Sequence, residues 1–350
     1  MKEQILLLFE DCKVVTGYQR SAIYDLCRHE FKFIPNSLAQ IINEFKGKPL
    51  NDLLSAFPEK DQPVIQEYLN FLVQNEYIHF CDADEVGLFP KLNEEFRSAG
   101  EISNAIIELS PVTISAFESI IDQLTAQGCS HLELRTDETY TLSELSAVLS
   151  QLKDAPIRSV SLVVRYSPDF DPTTLGHLMA DHPRLISILV HSAKEAMFDA
   201  KRSIRFYKDS LPQLIQNKLP TPRSFNVNSQ LYFENLAYNT FFNKKVCIDA
   251  AGQWKNSLEI DHHFGNIAST SLQDVLQNIE FKKLWSVKKD DIHVCKDCEF
   301  RHLCVDARTP LQKDETTWYF DTACHYNPYL AKWQHEEGYQ SVGESVRDSL

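Results

Sequence analysis

The stretch VCKDCEFRHLC, residues 294–304, holds three cysteines in a C-x2-C-x5-C pattern, and Cys324 follows after 19 further residues. Cys295 and Cys298 are close enough in sequence to bind one centre from a single turn, and Cys304 and Cys324 complete a shell of four thiolates. Soft thiolate ligands select both iron–sulfur clusters and zinc. The spacing therefore predicts one metal centre held by these four cysteines, either [4Fe-4S] or Zn2+.

Two other interpretations of these cysteines are ordinary scattered thiols and a disulfide framework. Four of the nine cysteines lie between residues 295 and 324 at ligand-like spacing, which disfavours scattered thiols. A chain of 350 residues is long enough to fold without disulfides, and its first residues lack the pattern of a secretion signal. We therefore expect reduced cysteines and a cytoplasmic protein.

Charge and hydropathy narrow the range of partners. The net charge is −14, from 49 acidic and 35 basic residues. Such a balance disfavours nucleic acid, because nucleic-acid binding depends on neutralising phosphates. No apolar run approaches the ~20 residues that a membrane span requires, so we expect neither a nucleic-acid nor a membrane partner. The length predicts two or three domains, and the polar residues 335–350 are expected to form a mobile tail.

Predicted strands alternate with helices between residues 92 and 232. The predicted strands are 102–109, 131–135, 160–166, 185–190, 204–207 and 225–227, and the predicted helices are 114–127, 142–152 and 173–181. Serial strand–helix units form parallel sheets through right-handed crossovers. About six such units predict an α/β fold with an open, partial (β/α)6 barrel rather than a closed eight-unit barrel.

Residues 1–82 have a different pattern. Strands are predicted at 4–9, 13–16 and 21–26, helices at 37–45, 50–57 and 61–74, and a closing strand at 77–80. Strands, three helices and a wing are typical of a winged helix. A DNA-binding role is disfavoured, because residues 61–67 at the start of the third helix contain no basic side chain.

The segment 243–333 resembles a SPASM domain, the cluster-binding C-terminal extension of radical SAM peptide-modifying enzymes. The resemblance rests on the stretch 264–267, on the amphipathic helix that ends near Trp285, and on the four-cysteine set. It favours [4Fe-4S] over zinc. For the domain's other cluster only Cys247 matches a ligand position, while Arg308 stands where another cysteine would be. We therefore expect a single cluster and a strand-end role for Cys247.

The same resemblance identifies residues 92–232 as a degenerate radical-SAM-like barrel. Radical SAM enzymes carry a C-x3-C-x2-C motif in the loop after the first barrel strand. Here the residues after that strand, 110–114, contain no cysteine, and Cys129 comes only after the following helix. We expect no S-adenosylmethionine binding, no radical SAM activity and no catalytic residues.

Four stretches extend the resemblance over almost the full length: RSAIYDL (20–26), FIPN (33–36), VCKDCEFR (294–301) and CHYNPY (324–329). Together they resemble the SPASM-domain peptide maturase of grasp-with-spasm systems, which is encoded beside an ATP-grasp ligase and a precursor peptide. The resemblance implies an accessory maturation factor for a ribosomally synthesised, post-translationally modified peptide. Such a factor would bind the leader of the precursor and present it to the ligase.

Within this interpretation, residues 1–82 form the leader-recognition module. An extended leader would add to a sheet edge near residues 31–34 and the third helix, with Phe31, Phe33, Tyr68 and Leu72 as the candidate pocket residues. The alternative function is an iron–sulfur-dependent redox or peptide-modifying enzyme. Four protein ligands leave no open coordination position for a substrate, which favours the adaptor.

Overall fold

Both early and late residues of the chain contribute to one compact unit. The computed structural model describes residues 4–216 and 219–345. Contacts divide the chain into a first unit, Met1–Phe96, Pro220–Thr240 and Val287–Leu350, and a second unit, Arg97–Leu219 and Phe241–Ser286. The predicted segment 243–333 therefore contributes to both units. The division into segments 1–82, 92–232 and 243–333 stays a prediction.

From residue 4 onward, where the description of the chain begins, the N-terminal part of the first unit has five strands and three α-helices. They are β1 (Gln4–Leu8), β2 (Cys12–Thr16), β3 (Ser21–Asp25), β4 (Glu30–Ile34), α1 (Asn36–Phe45), α2 (Leu50–Ala56), α3 (Gln62–Gln74) and β5 (Ile78–Asp82). β1 pairs with β5, and β2, β3 and β4 form an antiparallel sheet in that order. The predicted helices match α1, α2 and α3 closely, whereas β4 was not among the predicted strands.

The β2–β3–β4 sheet is covered on both faces. On one face, Ile23 and Ile34 pack with the apolar sides of α1 and α3, including Leu38 and Leu72. On the other face, Ala22 and Tyr24 pack with a helix that lies far along the chain, α9 (Ser229–Ala237), and with Leu303. All five residues of β3 are buried for this reason, and the sheet is the middle layer of three.

The second unit is built on an eight-stranded sheet. Its strands are β6 (Asn104–Glu108), β7 (His131–Arg135), β8 (Ser159–Arg165), β9 (Leu185–His191), β10 (Met197–Asp199), β11 (Ile204–Phe206), β12 (Lys245–Ile248) and β13 (Trp254–Lys255). The order is β10-β11-β9-β8-β7-β6-β12-β13. All neighbours from β11 to β12 are parallel, and β10 and β13 are antiparallel additions at the two edges. The fold class is therefore mixed α/β with a mostly parallel sheet, as predicted.

Helices follow most of the parallel strands and pack with the strand residues in the unit's core. They are α4 (Pro111–Ser115), α5 (Phe117–Ala126), α6 (Leu142–Ser150), α7 (Pro172–Asp181), α8 (Leu211–Gln216), α10 (Leu272–Gln277) and α11 (Ile279–Lys282). Side-chain caps determine where several of these helices begin. Asp171, for example, accepts hydrogen bonds from the backbone N–H groups of Thr173 and Thr174 at 2.6 and 2.9 Å.

Two predictions about this region were wrong. Residues 225–227 are irregular backbone after a 3-10 turn at Pro222–Ser224, because the Phe225 ring stacks on Phe300 at 4.6 Å instead of joining a sheet. The sixth parallel strand is β12, which pairs with β6. The single helix predicted at 114–127 is two helices, because Ala116 between them departs from helical geometry.

The C-terminal part of the first unit consists of turns, two short hairpins and a terminal turn of helix. The hairpins are β14 (Leu311–Gln312) with β15 (Trp318–Tyr319) and β16 (Tyr326–Asn327) with β17 (Lys332–Trp333), and α12 spans Val342–Ser345. Within the predicted tail, the Gln340 carbonyl accepts a hydrogen bond from Asn327 at 2.9 Å. Residues 346–350 of that tail lie outside the described residues.

No helix within residues 4–216 and 219–345 is both long enough and apolar enough to cross a membrane.

Candidate metal centre

The four predicted ligands converge on one cavity. Cys295 begins a 3-10 turn, Cys298 and Cys304 lie in the loop that follows, and Cys324 precedes β16. All four carry free thiols and line the same cavity, which has a volume of about 40 Å³. The structure thus brings together side chains from two stretches of chain that the hairpin β14–β15 separates.

Backbone geometry around Cys295 orients the first two thiols. Val294 has a φ of 71°, which is strained for a β-branched residue. The turn that follows is closed by a hydrogen bond from the Cys298 N–H to the Cys295 carbonyl at 3.0 Å. The Phe300 N–H lies 3.4 Å from the sulfur of Cys298 and donates to it. Such N–H···S contacts stabilise the charge of a metal-bound thiolate.

Aromatic rings enclose the cavity. Phe300, Tyr326 and Trp333 form a small buried cluster, and Cys298 and Cys324 pack against it. Phe225 covers Phe300 from one side. These walls restrict the access of water, which matters because solvent exposure weakens and tunes a thiolate-bound centre.

A buried ion-pair group lies at the same cavity. Lys289 and Arg308 both contact the Asp306 carboxylate, at 3.2 and 2.6 Å. Burial alone would raise the pKa of Asp306, but the two cations hold it at about 2. Burial likewise opposes the charge of Lys289, and the Asp306 carboxylate outweighs burial and raises the pKa of that ammonium. All three groups are therefore charged at neutral pH.

Burial raises the pKa of all four thiols, to about 11 for Cys295. The Lys289 ammonium acts in the opposite direction on Cys295 and Cys304. Thiols in this environment are protonated at neutral pH until a metal ion or another cation offsets their charge.

Four thiols at one cavity are the type of donor set that a thiolate-held centre uses. The cavity is about three times the ~10–15 Å³ that one water molecule needs, so it has room for a polyatomic group. However, no group of three or more Cys, His, Asp or Glu side chains in the described part of the chain has the spacing of a site that could hold a metal ion. The four cysteines therefore remain candidate ligands.

Cys247 differs from these four residues. It lies in β12 of the second unit, is fully buried, and its sulfur is 3.5 Å from the Asn256 carbonyl. Burial raises the pKa of this thiol to about 11. Arg308, at the predicted position of a lost ligand, is paired with Asp306, and the nearby Arg301 contacts Asp290 at 3.0 Å.

The candidate peptide-binding residues belong to two different clusters. Phe31 and Phe33 lie on β4, with ring centroids 5.7 and 5.6 Å from that of Phe300. Phe33 is 41% exposed. Tyr68 and Leu72 lie on α3 in the helical core, where Leu72 is 1% exposed and the Tyr68 hydroxyl contacts Ser37 at 3.0 Å.

Glu299 joins the cysteine loop to the N-terminal sheet, a link that the sequence did not reveal. Its fully buried carboxylate accepts hydrogen bonds from Arg20 at 2.7 Å and from the Tyr326 hydroxyl at 2.5 Å. The Glu299 carbonyl accepts one from the Tyr24 hydroxyl. The Arg20 guanidinium also stacks on the Phe33 ring at 3.4 Å. Because Arg20 and Tyr24 lie far from Glu299 in sequence, no local sequence pattern indicates these contacts.

Comparison with known proteins does not identify a family for this chain. No family model matches this chain, and no curated protein matches it. Two solved structures of Streptococcus suis SuiB are similar to it, one bound to S-adenosylmethionine and one bound to the precursor peptide SuiA. They are 9% and 10% identical, with TM-scores of 0.31 and 0.32, and each alignment covers 86% of this chain and 94% of SuiB. At these TM-scores the likeness carries no argument about fold or function.

Proposed function

We propose that this chain is a non-catalytic maturation factor that binds the leader of a ribosomally made precursor peptide and presents it to an ATP-grasp ligase. The observation that carries the proposal is the outer edge of β4. In the described residues, the antiparallel sheet ends at β4, and no strand pairs with its outer side. An extended peptide can add there through main-chain hydrogen bonds.

The side chains of β4 suit this role. Glu30, Lys32 and Phe33 are exposed and Phe31 is half-buried, whereas Ile34 at the end of the strand is buried. Phe33 offers an exposed aromatic ring on one face, and Lys32 contacts Asn75 just beyond the end of α3 on the other. Because side chains of an added strand alternate between the two faces, the leader would contact both Phe33 and the end of α3.

The proposed role of the metal centre is structural. Cys298 and Phe300 belong to the loop that supports Phe31 and Phe33 from behind, so a centre at the four cysteines would stabilise the binding edge. We propose a single [4Fe-4S] cluster, with Zn2+ as the alternative. Four cysteine ligands would leave no position for a substrate, which favours an adaptor over an enzyme.

The proposal also includes a barrel without radical chemistry. Where a radical SAM enzyme would need its cysteine loop, Ser110 caps α4 directly after β6. The Ser110 hydroxyl also donates to the Ala250 carbonyl at 2.7 Å. These contacts give residues 110–114 a structural role, and S-adenosylmethionine is not expected to bind there.

We expect a gene for the precursor peptide beside the gene for this chain, and calorimetry with a synthetic leader of that precursor tests the proposal. Phe33→Ala should weaken binding at least about fivefold, because burying a large part of one aromatic ring contributes ~1 kcal/mol or more. The matched control is Phe198→Ala, which truncates a 56% exposed phenylalanine of β10. Equal affinities for the two variants, or no binding by the full chain, would contradict the proposal.

A further inference from the structure

The cavity of the four cysteines contains more buried positive than negative charge. Lys289 is 3% exposed and Asp306 1% exposed, and Arg308 shares the same carboxylate oxygen of Asp306. Two cations and one carboxylate leave one positive charge in excess. Burying an unbalanced charge is costly, so the excess calls for an anionic partner.

The ammonium of Lys289 has unused donors. Its nitrogen is enclosed, and among the described residues no acceptor meets it with hydrogen-bond geometry; its contact with Asp306 is an ion pair at 3.2 Å. The Phe320 ring lies 4.9 Å from this nitrogen. Since an ammonium carries three N–H bonds, donors remain available at the cavity that the four sulfurs also line.

Unlike Lys289, the neighbouring Arg308 donates hydrogen bonds to protein acceptors. Its guanidinium donates to both oxygens of Asp306 and to the Thr322 carbonyl. The Asp306 carboxylate therefore keeps a bidentate partner even without Lys289. Removing the ammonium leaves no isolated buried carboxylate, which makes Lys289 a residue that can be tested by substitution.

We propose that Lys289 is a positioning residue for the cysteine-held centre, donating a hydrogen bond to one of its sulfur atoms and offsetting its negative charge. This inference rests on the proposed metal centre. Four thiolates around either a [4Fe-4S] core or Zn2+ leave a net negative charge. The excess positive charge of the Lys289–Asp306–Arg308 group complements that charge inside a cavity that water does not readily screen.

The expected consequence is a shift in reduction potential. Net charge and hydrogen bonds to sulfur set the potential of an iron–sulfur cluster. Reduction adds a negative charge, and a nearby ammonium favours it. Lys289→Met should therefore move the potential of the cluster to a more negative value. Lys289→Arg keeps the charge, so its potential should stay close to that of the wild type.

The experiment uses the full chain purified without oxygen, with iron, sulfide and zinc measured first and the potential then determined by redox titration followed by absorbance. The matched control is Lys296→Met, which removes the same charge from an exposed position between Cys295 and Cys298. Solvent screens that charge, so its loss should change the potential much less. If the metal is zinc, the readout becomes competition with a chelator, and Lys289→Met should bind zinc more weakly than Lys296→Met.

Two outcomes separate the inference from the function on which it rests. A loaded chain in which Lys289→Met and Lys296→Met give the same potential, or the same zinc affinity, would overturn the role of Lys289 alone. Wild-type protein that contains neither iron nor zinc would overturn the metal centre and this inference together.

Discussion

At the scale of single residues, the cysteines show what local sequence spacing can predict. Cys295, Cys298 and Cys304 were placed together from their spacing alone, since one turn and one short loop hold them. Cys324 is the distant fourth cysteine that completes the predicted shell, and the structure places it at the same cavity. The charged neighbours Lys289 and Asp306 could not be identified in this way, because isolated charged residues are common in any sequence.

Cys324→Ser should lose most of its metal and lower the free energy of unfolding by several kcal/mol. The reason is that Cys324 ties the hairpin β16–β17 to the loop of the other three ligands, so metal binding contributes directly to folding. Metal analysis and denaturant unfolding of the same anaerobic preparation check this. Cys247→Ser is the control and should keep its metal; a loss of metal in the control alone would reassign the ligands.

At the scale of elements, most strands could be predicted from local patterns, but not every strand-like run forms a strand. β7, β8 and β9 follow apolar runs and lie within one or two residues of the prediction. The run 225–227 looked similar, but the Phe225 ring is half-buried against the Phe300 ring, 75 positions away, rather than against a sheet. No strand was predicted at residues 30–34, although charged and aromatic side chains alternate there, and the pairing with β3 fixes the position of β4.

The end of β9 should make the stability of the second unit depend on pH. His191 is fully buried, and its ring donates to the Thr136 carbonyl at 3.0 Å. Burial lowers the pKa of His191 despite the nearby Asp137 carboxylate, and Arg165 acts in the same direction as burial. The unfolded chain therefore binds a proton at a higher pH than the folded one, and stability falls as the pH drops below ~6.5.

His191→Gln should reduce this acid sensitivity, because the amide does not titrate in this range. Thermal unfolding measured from pH 7.5 to pH 5 checks the prediction. His177→Gln, a substitution of an exposed histidine on α7, should leave the pH dependence of the wild type unchanged. If both variants lose stability toward acid as the wild type does, His191 is not the responsible group.

At the scale of the whole molecule, the first unit could not be deduced from sequence. Patterns along the chain predicted separate N-terminal and C-terminal segments. What joins them is a set of contacts between β3 and residues more than 200 positions away, including Tyr232 and Leu303. Periodicity reports which face of an element is apolar, but not which distant element will cover that face.

A fragment of residues 1–82 should therefore fail to fold cooperatively. It retains the helical core but exposes Ala22, Tyr24 and Phe31, which α9 and the cysteine loop cover in the full chain. Leaving one large side chain such as that of Tyr24 in water costs about 1.5–3 kcal/mol. Circular dichroism during urea unfolding checks this, with the full chain as the reference. A sharp transition in the fragment would show that the N-terminal module is self-sufficient.

Because early and late residues join in one unit, that unit can complete its fold only late in the synthesis of the chain. β3 leaves the ribosome long before Leu303, and at about 5–20 residues per second the delay amounts to tens of seconds. During that interval one face of the sheet has no cover, so a nascent-chain chaperone has an apolar surface to hold. The first unit can therefore close only after both stretches of the chain have been synthesised.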